Sequence, residues 1–339
     1  MKVFKKVLVV FTLLFAVYYF GPSPATPKYR LGMKPFPTNT NELDSFVKAN
    51  EAKHKLRPNN EARIVWLNDS LKTVTDYSIV YLHGFSASQE EGNPVHRNIA
   101  KKFGCNLYLS RLAEHGIDTA DQLVHLTADK YWESAKDAFL MGKKIGNKVI
   151  LMGTSTGGSQ AIQLAAAYPN DIAAIILYSP NIEINDPNAW ILNNNWGLQI
   201  ARLVKGSFYN DPEDERPIYK QYWNKPYRLE AAVQLQEMLE TSMIPSTFKR
   251  VSQPTLLLYY YKDAQHQDNV VKVSAMQKMF VKLSTPKDKK VQKAMPLTGN
   301  HVLASPIKSN DVEGVERETT LFMQQILNMK VVQDSALLK

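Results

Sequence analysis

The chain has 339 residues, 44% hydrophobic and 22% charged, with 41 Lys and Arg against 32 Asp and Glu, for a formal net charge of +9. That balance excludes disorder of the whole chain and allows one large α/β domain with insertions, or two ordinary domains. The basic residues are scattered, and the one dense run, Lys287 to Lys293, reads as a solvated face, so nucleic acid is not an expected partner; the single cysteine, Cys105, excludes an internal disulfide or a cysteine metal cluster.

The first element is "MKVFKKVLVVFTLLFAVYYFGPSPATP". Lys2, Lys5 and Lys6 precede an uncharged apolar run from Val7 to Phe20, which breaks at Gly21 and Pro22. A basic flank before a short apolar stretch is the pattern of an export signal. The run is shorter than the ~20 residues that span a bilayer comfortably. Residues 1–27 are therefore expected to be a signal peptide or a membrane anchor. The basic flank would stay cytoplasmic and the body would lie outside, periplasmic or in the cell envelope.

A proline-rich lead-in then runs into a helix capped near Asn41. Short apolar runs alternate with helical patterns from there on. "ARIVWLN" and "YSIVYLHGF" read as strands. "NPVHRNIAKKFG" reads as a helix, with Asn93 as N-cap, Pro94 at its first position and Gly104 as stop. The strand "CNLYLSRL", the helix "ADKYWESAKDAFLMGKKIG", the strand "KVILMG", the helix "GSQAIQLAAAYP" and the strand "IAAIILYSP" follow. Such alternation means βαβ units and a mostly parallel sheet, and the unbroken apolar character of the last two strands fits burial on both faces.

The rhythm fails past Pro180. Residues 181–251 are rich in Asn and aromatics, with helical stretches "WGLQIARLVKG" and "LEAAVQLQEMLETS" and no clear strand. "QPTLLLYYYKD" restores a strand, the helix "VSAMQKMFVKLS" follows, "KKVQKAMP" reads as the last strand and "ETTLFMQQILNMK" as a closing helix. The expected layout is a core of residues 28–180 and 252–339, interrupted by a helical cap at 181–251.

The chemistry concentrates at "VILMGTSTGG". Gly153-Thr154-Ser155-Thr156-Gly157 is a G-x-S-x-G run with a strand leading in and a helix leading out. Small flanking residues let strand and helix approach closely enough to lift a serine onto a sharp turn. Serine is a weak nucleophile at its free pKa and needs a base and an orienting carboxylate. His301, in the loop "LTGNHVLAS" after the last strand, is the candidate base. The acid is Asp268 or, as second choice, Asp263. Asp263 is favoured by counting along its strand, Asp268 by the D-x-x-V approach into the next helix. An oxyanion hole needs two aimed N–H groups. Thr156, after the nucleophile, and Phe85, in "YLHGFSAS", are the expected donors.

These motifs together resemble the α/β-hydrolase fold from about Val65 to the C-terminus. "LYLSRLAEHGID" resembles a segment of the monoacylglycerol lipase and carboxylesterase branch. At Thr154 the elbow departs from that branch, where His is frequent. The resemblance implies a mostly parallel central sheet with helices on both faces and a cap over the nucleophile. It implies a serine hydrolase that cleaves carboxylic esters through an acyl-enzyme and requires no metal or cofactor. A peptidase or acyltransferase on the same machinery, or a relative that binds ligand without catalysis, are the alternatives. The expected partner is a small-molecule ester, with an apolar acyl chain if the cap aromatics form its wall. Candidate substrate contacts are His83, Arg111, His115, Trp190, Trp196 and Trp223. For His83 a packed structural role is preferred. Arg111 and His115 either hold their loop or touch substrate, and the tryptophans line a pocket or form the cap's own core.

Overall fold

A computed structural model describes residues 2–332. Its centre is a seven-stranded sheet of β1 (Arg63–Val65), β2 (Thr75–Leu82), β3 (Asn106–Leu109), β4 (Gly146–Thr154), β5 (Ile172–Tyr178), β8 (Thr255–Tyr259) and β9 (Lys290–Ala294). The spatial order is β1-β3-β2-β4-β5-β8-β9, and every neighbouring pair is parallel except β1 with β3. The helices of the core are α2 (Thr40–Glu51), α3 (Val95–Lys102), α4 (Ala128–Ile145), α5 (Thr156–Ala167), α10 (Val273–Lys282) and α11 (Val312–Gln325). An N-terminal helix, α1, covers Lys2–Tyr19.

Strand periodicity sorts the core into two layers. Ile79, Tyr81, Ile150, Met152 and Ile176 face one side, where they meet Val95 and Ile99 of α3 and Phe322 and Met323 of α11. Val80, Leu82, Leu151, Ile175 and Leu177 face the other, against α4, α5 and α10. Both faces of the central strands are covered, which explains why β4 and β5 carry no alternating polar residues.

The insertion between β5 and β8 contains α6 (Gly197–Lys205), β6 (Tyr209–Asn210), α7 (Pro217–Tyr222), β7 (Tyr227–Arg228), α8 (Leu229–Ser242) and α9 (Pro245–Phe248). The expectation of no strand there is corrected by β6 and β7, a two-residue antiparallel pair. The insertion is also not a detached cap throughout. Ala231, Leu235, Met238, Leu239, Phe248 and Val251 belong to the same hydrophobic cluster as the sheet face. At ~1.5–3 kcal/mol per large buried side chain, α8 and α9 are held to the body; the stretch around Trp223 is also tied to it, through Arg57, Asn60 and the Asn224 N–H on the Ser86 carbonyl.

Three helix boundaries differ from the sequence reading. The N-cap of α2 is Asn39, whose side chain accepts the Asn41 N–H. α3 starts after Pro94, because Asn93 closes a preceding 3₁₀ turn, Gln89–Gly92, and gives its side-chain amide to Glu90. α11 begins six residues before Glu318, because Asp311 caps it by accepting the Gly314 N–H at 2.9 Å.

Residues 28–32 do not form a loose lead-in. Asp129 accepts the Lys28 and Tyr29 N–H groups, the Trp132 indole donates to the Arg30 carbonyl, and Lys136 reaches the Gly32 carbonyl. Among the described residues no helix is long and apolar enough to cross a membrane.

Candidate active site

The G-x-S-x-G run lies where the sequence places it, between β4 and α5. Ser155 has φ 53° and ψ −121°, a strained conformation for a residue with a side chain. The turn is fixed from outside: the Ser155 N–H donates to the Tyr178 carbonyl, and the Ser155 carbonyl accepts from Gly158 and Asn181. The glycines are required by space. A Cβ on Gly157 would lie 1.9 Å from the Leu82 carbonyl oxygen, and one on Gly153 would lie 2.5 Å from the Gly157 backbone. Thr154 points its hydroxyl at the Tyr81 phenol, 2.9 Å away within the core.

Ser155 and His301 line one cavity of about 710 Å³, within the size range of small-molecule sites. Behind His301, Nδ1 lies 2.6 Å from Asp268 Oδ2. Asp268 Oδ1 accepts the N–H groups of Val270 and Val271 at 2.9 and 3.0 Å. Burial pushes the Asp268 pKa up, but His301 and those two donors more than offset it, leaving the carboxylate below its ordinary range. Burial likewise pushes the His301 pKa down. Asp268, and after it Glu91, outweigh that and hold the imidazole above its ordinary value. The arrangement suits a base that must become an imidazolium during reaction.

Asp263, the second choice of acid, is elsewhere. It is exposed, caps a turn by accepting from Gln265 and His266, and pairs with the His266 ring at 2.8 Å. The excursion from Asp263 to His266 is a surface turn that lengthens the strand-to-helix connection, and this made two aspartates compete in the sequence.

Phe85 lines the cavity and Thr156 opens α5, where helix geometry leaves backbone N–H groups without partners. On the Phe85 loop, the Gly84 N–H goes to Glu91 and the Ser86 N–H to His115 Nε2. The Phe85 N–H between them is uncommitted among the described residues.

The structure places most of the candidate substrate contacts away from the cavity, and for His83, Arg111 and His115 this is the loop-holding alternative. His83 Nε2 accepts the Leu112 N–H and its Nδ1 meets the Gly84 carbonyl, while His115 Nδ1 meets the Ala113 carbonyl. Both rings are buried and staple two loops together. Burial drives His83 down to about 4 and His115 well below its ordinary value, so both stay neutral. Arg111 is held by Glu51, at 2.6 Å, and by the His115 carbonyl. None of the three lines the cavity. Trp190 projects into solvent, 55% exposed. Trp196 gives its indole N–H to the Val17 carbonyl of α1. Only Trp223, stacked on Tyr219 with ring centroids 4.9 Å apart, lines the cavity.

Two groups of cavity residues escaped the sequence reading. The apolar wall comes largely from aliphatic side chains: Ile184, Ile200, Ala201, Val204, Leu229 and Leu235. For those in α6 and α8 the helical spacing was visible, but not which face turned inward; Ile184 precedes both helices. The other is Glu91, 2% exposed, in a polar stretch with no motif to mark it.

A sequence profile described as Hydrolase_4, serine aminopeptidase S33, matches residues 115–295, just over half of the chain. Among solved structures, one of the metagenome-derived lipolytic enzymes LipS and LipT superimposes with a TM-score of 0.64 at 16% identity, over 80% of this chain and 99% of its own. A Paleococcus ferrophilus monoacylglycerol lipase gives 0.57 at 13% identity, over 77% and 97%. Est1E of Butyrivibrio proteoclasticus, with ferulic acid bound, gives 0.54 at 16% identity, over 79% and 95%. No match was found among curated proteins. At such identities the structural likeness establishes the fold, which is the α/β-hydrolase fold.

Proposed function

The chain belongs to the serine aminopeptidase S33 family of hydrolases, and from that premise we propose that it is a serine hydrolase that cleaves carboxylic esters. The observation that carries the reading is the Asp268–His301 pair at 2.6 Å on the wall of the cavity that Ser155 also lines. Ser155 Oγ attacks the ester carbonyl while His301 Nε2 takes its proton, the Nδ1–H being held by Asp268. The Phe85 and Thr156 N–H groups stabilise the oxyanion. The imidazolium then protonates the leaving alcohol, and water repeats the cycle on the acyl-enzyme. The aliphatic wall contributed by the insertion suits an apolar acyl chain, and the structural neighbours include a lipolytic enzyme and a monoacylglycerol lipase.

The second reading is an aminopeptidase, favoured by the family description. Parallel assays separate the two: p-nitrophenyl esters of rising chain length against aminoacyl p-nitroanilides. Ester turnover with slow or absent anilide turnover is the expected result. Absence of fluorophosphonate labelling on the wild type, where a control esterase labels, would sink the serine-hydrolase reading altogether.

We also propose that the chain is exported and stays attached to the membrane surface through α1. Support comes from contacts that a severed leader could not keep: the Trp196 and Asn195 side chains donate to the Val17, Tyr18 and Tyr19 carbonyls, and the Trp196 N–H to the Pro22 carbonyl.

A further inference from the structure

Glu91 is a buried acid in an unusual place. Its 3₁₀ turn packs beneath the loop that carries Gly84 and Phe85, and its Oε2 accepts the Gly84 N–H at 2.6 Å. A Cβ on Gly84 would lie 2.9 and 3.0 Å from the two carboxylate oxygens and 3.0 Å from Ser155 Cβ. The Glu91 carboxylate and Ser155 Cβ therefore both border the space that the missing side chain of Gly84 leaves open. Glu91 also lines the same cavity as Ser155 and His301.

Its surroundings hold no compensating lysine or arginine among the described residues. The charged partner that acts on it is His301, and the other titratable groups around it are the phenols of Tyr81 on β2, Tyr131 on α4 and Tyr219 on α7. Burying an ionised carboxylate without a cation costs several kcal/mol. A glutamine would accept the Gly84 N–H equally well without that cost. Holding the loop alone therefore gives no reason for an acid at this position, whereas a neighbouring imidazole that must turn positive does.

We propose that Glu91 is a positioning residue of the site: it pins the Gly84 N–H so that the Phe85 N–H faces the cavity, and it adds negative charge against which His301 becomes an imidazolium. The inference rests on the serine-hydrolase reading above. Both tasks come from one side chain, and two substitutions separate them. Burial raises the Glu91 pKa to about 7, opposed by the Gly84 N–H and by His301, so its charge changes near neutral pH, where its influence on His301 is open to titration.

The test uses the full chain with Glu91→Gln and Glu91→Ala, read by kcat and KM on a short p-nitrophenyl ester, by pH profile and by fluorophosphonate labelling. The glutamine keeps the loop bond and loses the charge. Its plateau kcat is expected within a few-fold of wild type, with the acid limb of kcat/KM moved to lower pH, because a negative charge that raises His301 has been removed. The alanine loses both. Its kcat is expected to fall about tenfold to a hundredfold even on the alkaline plateau, with KM changed little, as a misplaced oxyanion donor would cause. Wild-type labelling together with unmoved kcat and an unmoved acid limb in both variants would overturn this inference and leave the serine-hydrolase reading standing. A wild type that does not label removes both. Should the alanine variant fail to fold, the glutamine profile decides alone: an unshifted acid limb refutes the electrostatic role.

Discussion

The two oxygens of Asp268 are divided between His301 and the backbone: Oδ2 lies 2.6 Å from the imidazole Nδ1, and Oδ1 accepts the Val270 and Val271 N–H groups. The second set of bonds fixes the carboxylate's rotation, so the first has one orientation available. In the proposed mechanism this sets the tautomer of His301 and leaves Nε2 to face Ser155.

The first prediction follows from that division. Asp268→Asn replaces the acceptor with an amide that can present N–H to Nδ1 and favour the wrong tautomer. Turnover of p-nitrophenyl acetate is expected to fall by about 10⁴-fold, with the folded state retained. Asp263→Asn, which disturbs only an exposed turn with His266, is expected to stay within about twofold on the same assay, as surface changes do. A comparable loss in both variants would remove Asp268 from its proposed role.

How far the sequence reached is clearest at this site. The elbow was legible because its requirement is local: residues 153–158 need small side chains, and the strand and helix around them announce themselves by period. The central strands were legible for the same reason, since runs such as "VILM" have few other fates; their spatial order was not. The contacts of His83, Arg111 and His115 were not. Their partners, Leu112 and the Ser86 N–H on other loops and Glu51 at the end of α2, are remote in sequence, and nothing in a polar loop residue's own neighbourhood says whether it faces a cavity or a carbonyl. Glu91 was invisible because its importance comes entirely from the burial of a turn that reads as solvent-exposed.

The glycines of the elbow give a stability prediction. Gly157→Ala places a methyl 1.9 Å from the Leu82 carbonyl oxygen and 2.4 Å from its carbon, both backbone atoms of a central strand. The strand or the helix must shift, at a cost of several kcal/mol, and the variant is expected to be insoluble or to melt more than ten degrees lower. Gly206→Ala is the control. It has φ +61° with open space around it, so only the left-handed strain of roughly 1 kcal/mol applies. Equal melting temperatures for the two variants would refute the steric account.

Acid stability is set by buried histidines. Burial lowers His83 from 6.5 to about 4 and His96 to about 3. Between those values and 6.5 the unfolded chain binds more protons than the native one, so stability rises with pH through this window and is lost on acidification. Glu91 acts the other way: raised from 4.5 to about 7, it binds a proton in the native state first, so its contribution falls as pH rises through that interval. The urea midpoint is expected to drop from pH 6.5 to pH 4.5. In Glu91→Gln the drop is expected to be steeper, because the opposing group is gone. A flat wild-type profile across that range would contradict the neutral assignment of these histidines.

The cavity wall makes a substrate-length prediction. Each buried methylene is worth ~0.8 kcal/mol, roughly fourfold in kcat/KM, for as long as the acyl chain meets apolar wall. Ala201 lies on that wall, on α6. Ala201→Trp is expected to leave acetate turnover near wild type and to lower octanoate turnover by tenfold or more. A wild-type series with no dependence on chain length would remove the acyl-binding role of the insertion.

The N-terminal helix gives the last prediction. Along α1, Phe4, Phe11, Phe15 and Leu8 are more than half exposed, and the following Phe20 is 82% exposed. Phe4, Leu8, Phe11 and Phe15 fall on one face at i, i+4, i+7 and i+11, an exposed apolar stripe that is not a stable companion of water, and Lys5 and Lys6 lie at the start of the helix, where anionic headgroups would complement them. The bonds from Asn195 and Trp196 fasten its last turn to the insertion just ahead of α6, which forms part of the cavity wall. Full-length protein is expected to float with anionic vesicles and to fractionate with membranes. A form lacking residues 1–20 is expected to stay in the soluble fraction while retaining turnover of p-nitrophenyl acetate, since no residue of α1 lines the cavity. Flotation that survives the deletion would transfer the membrane contact to another surface. A cytosolic pool with an intact N-terminus would refute export, because α1 would then be buried against something other than lipid.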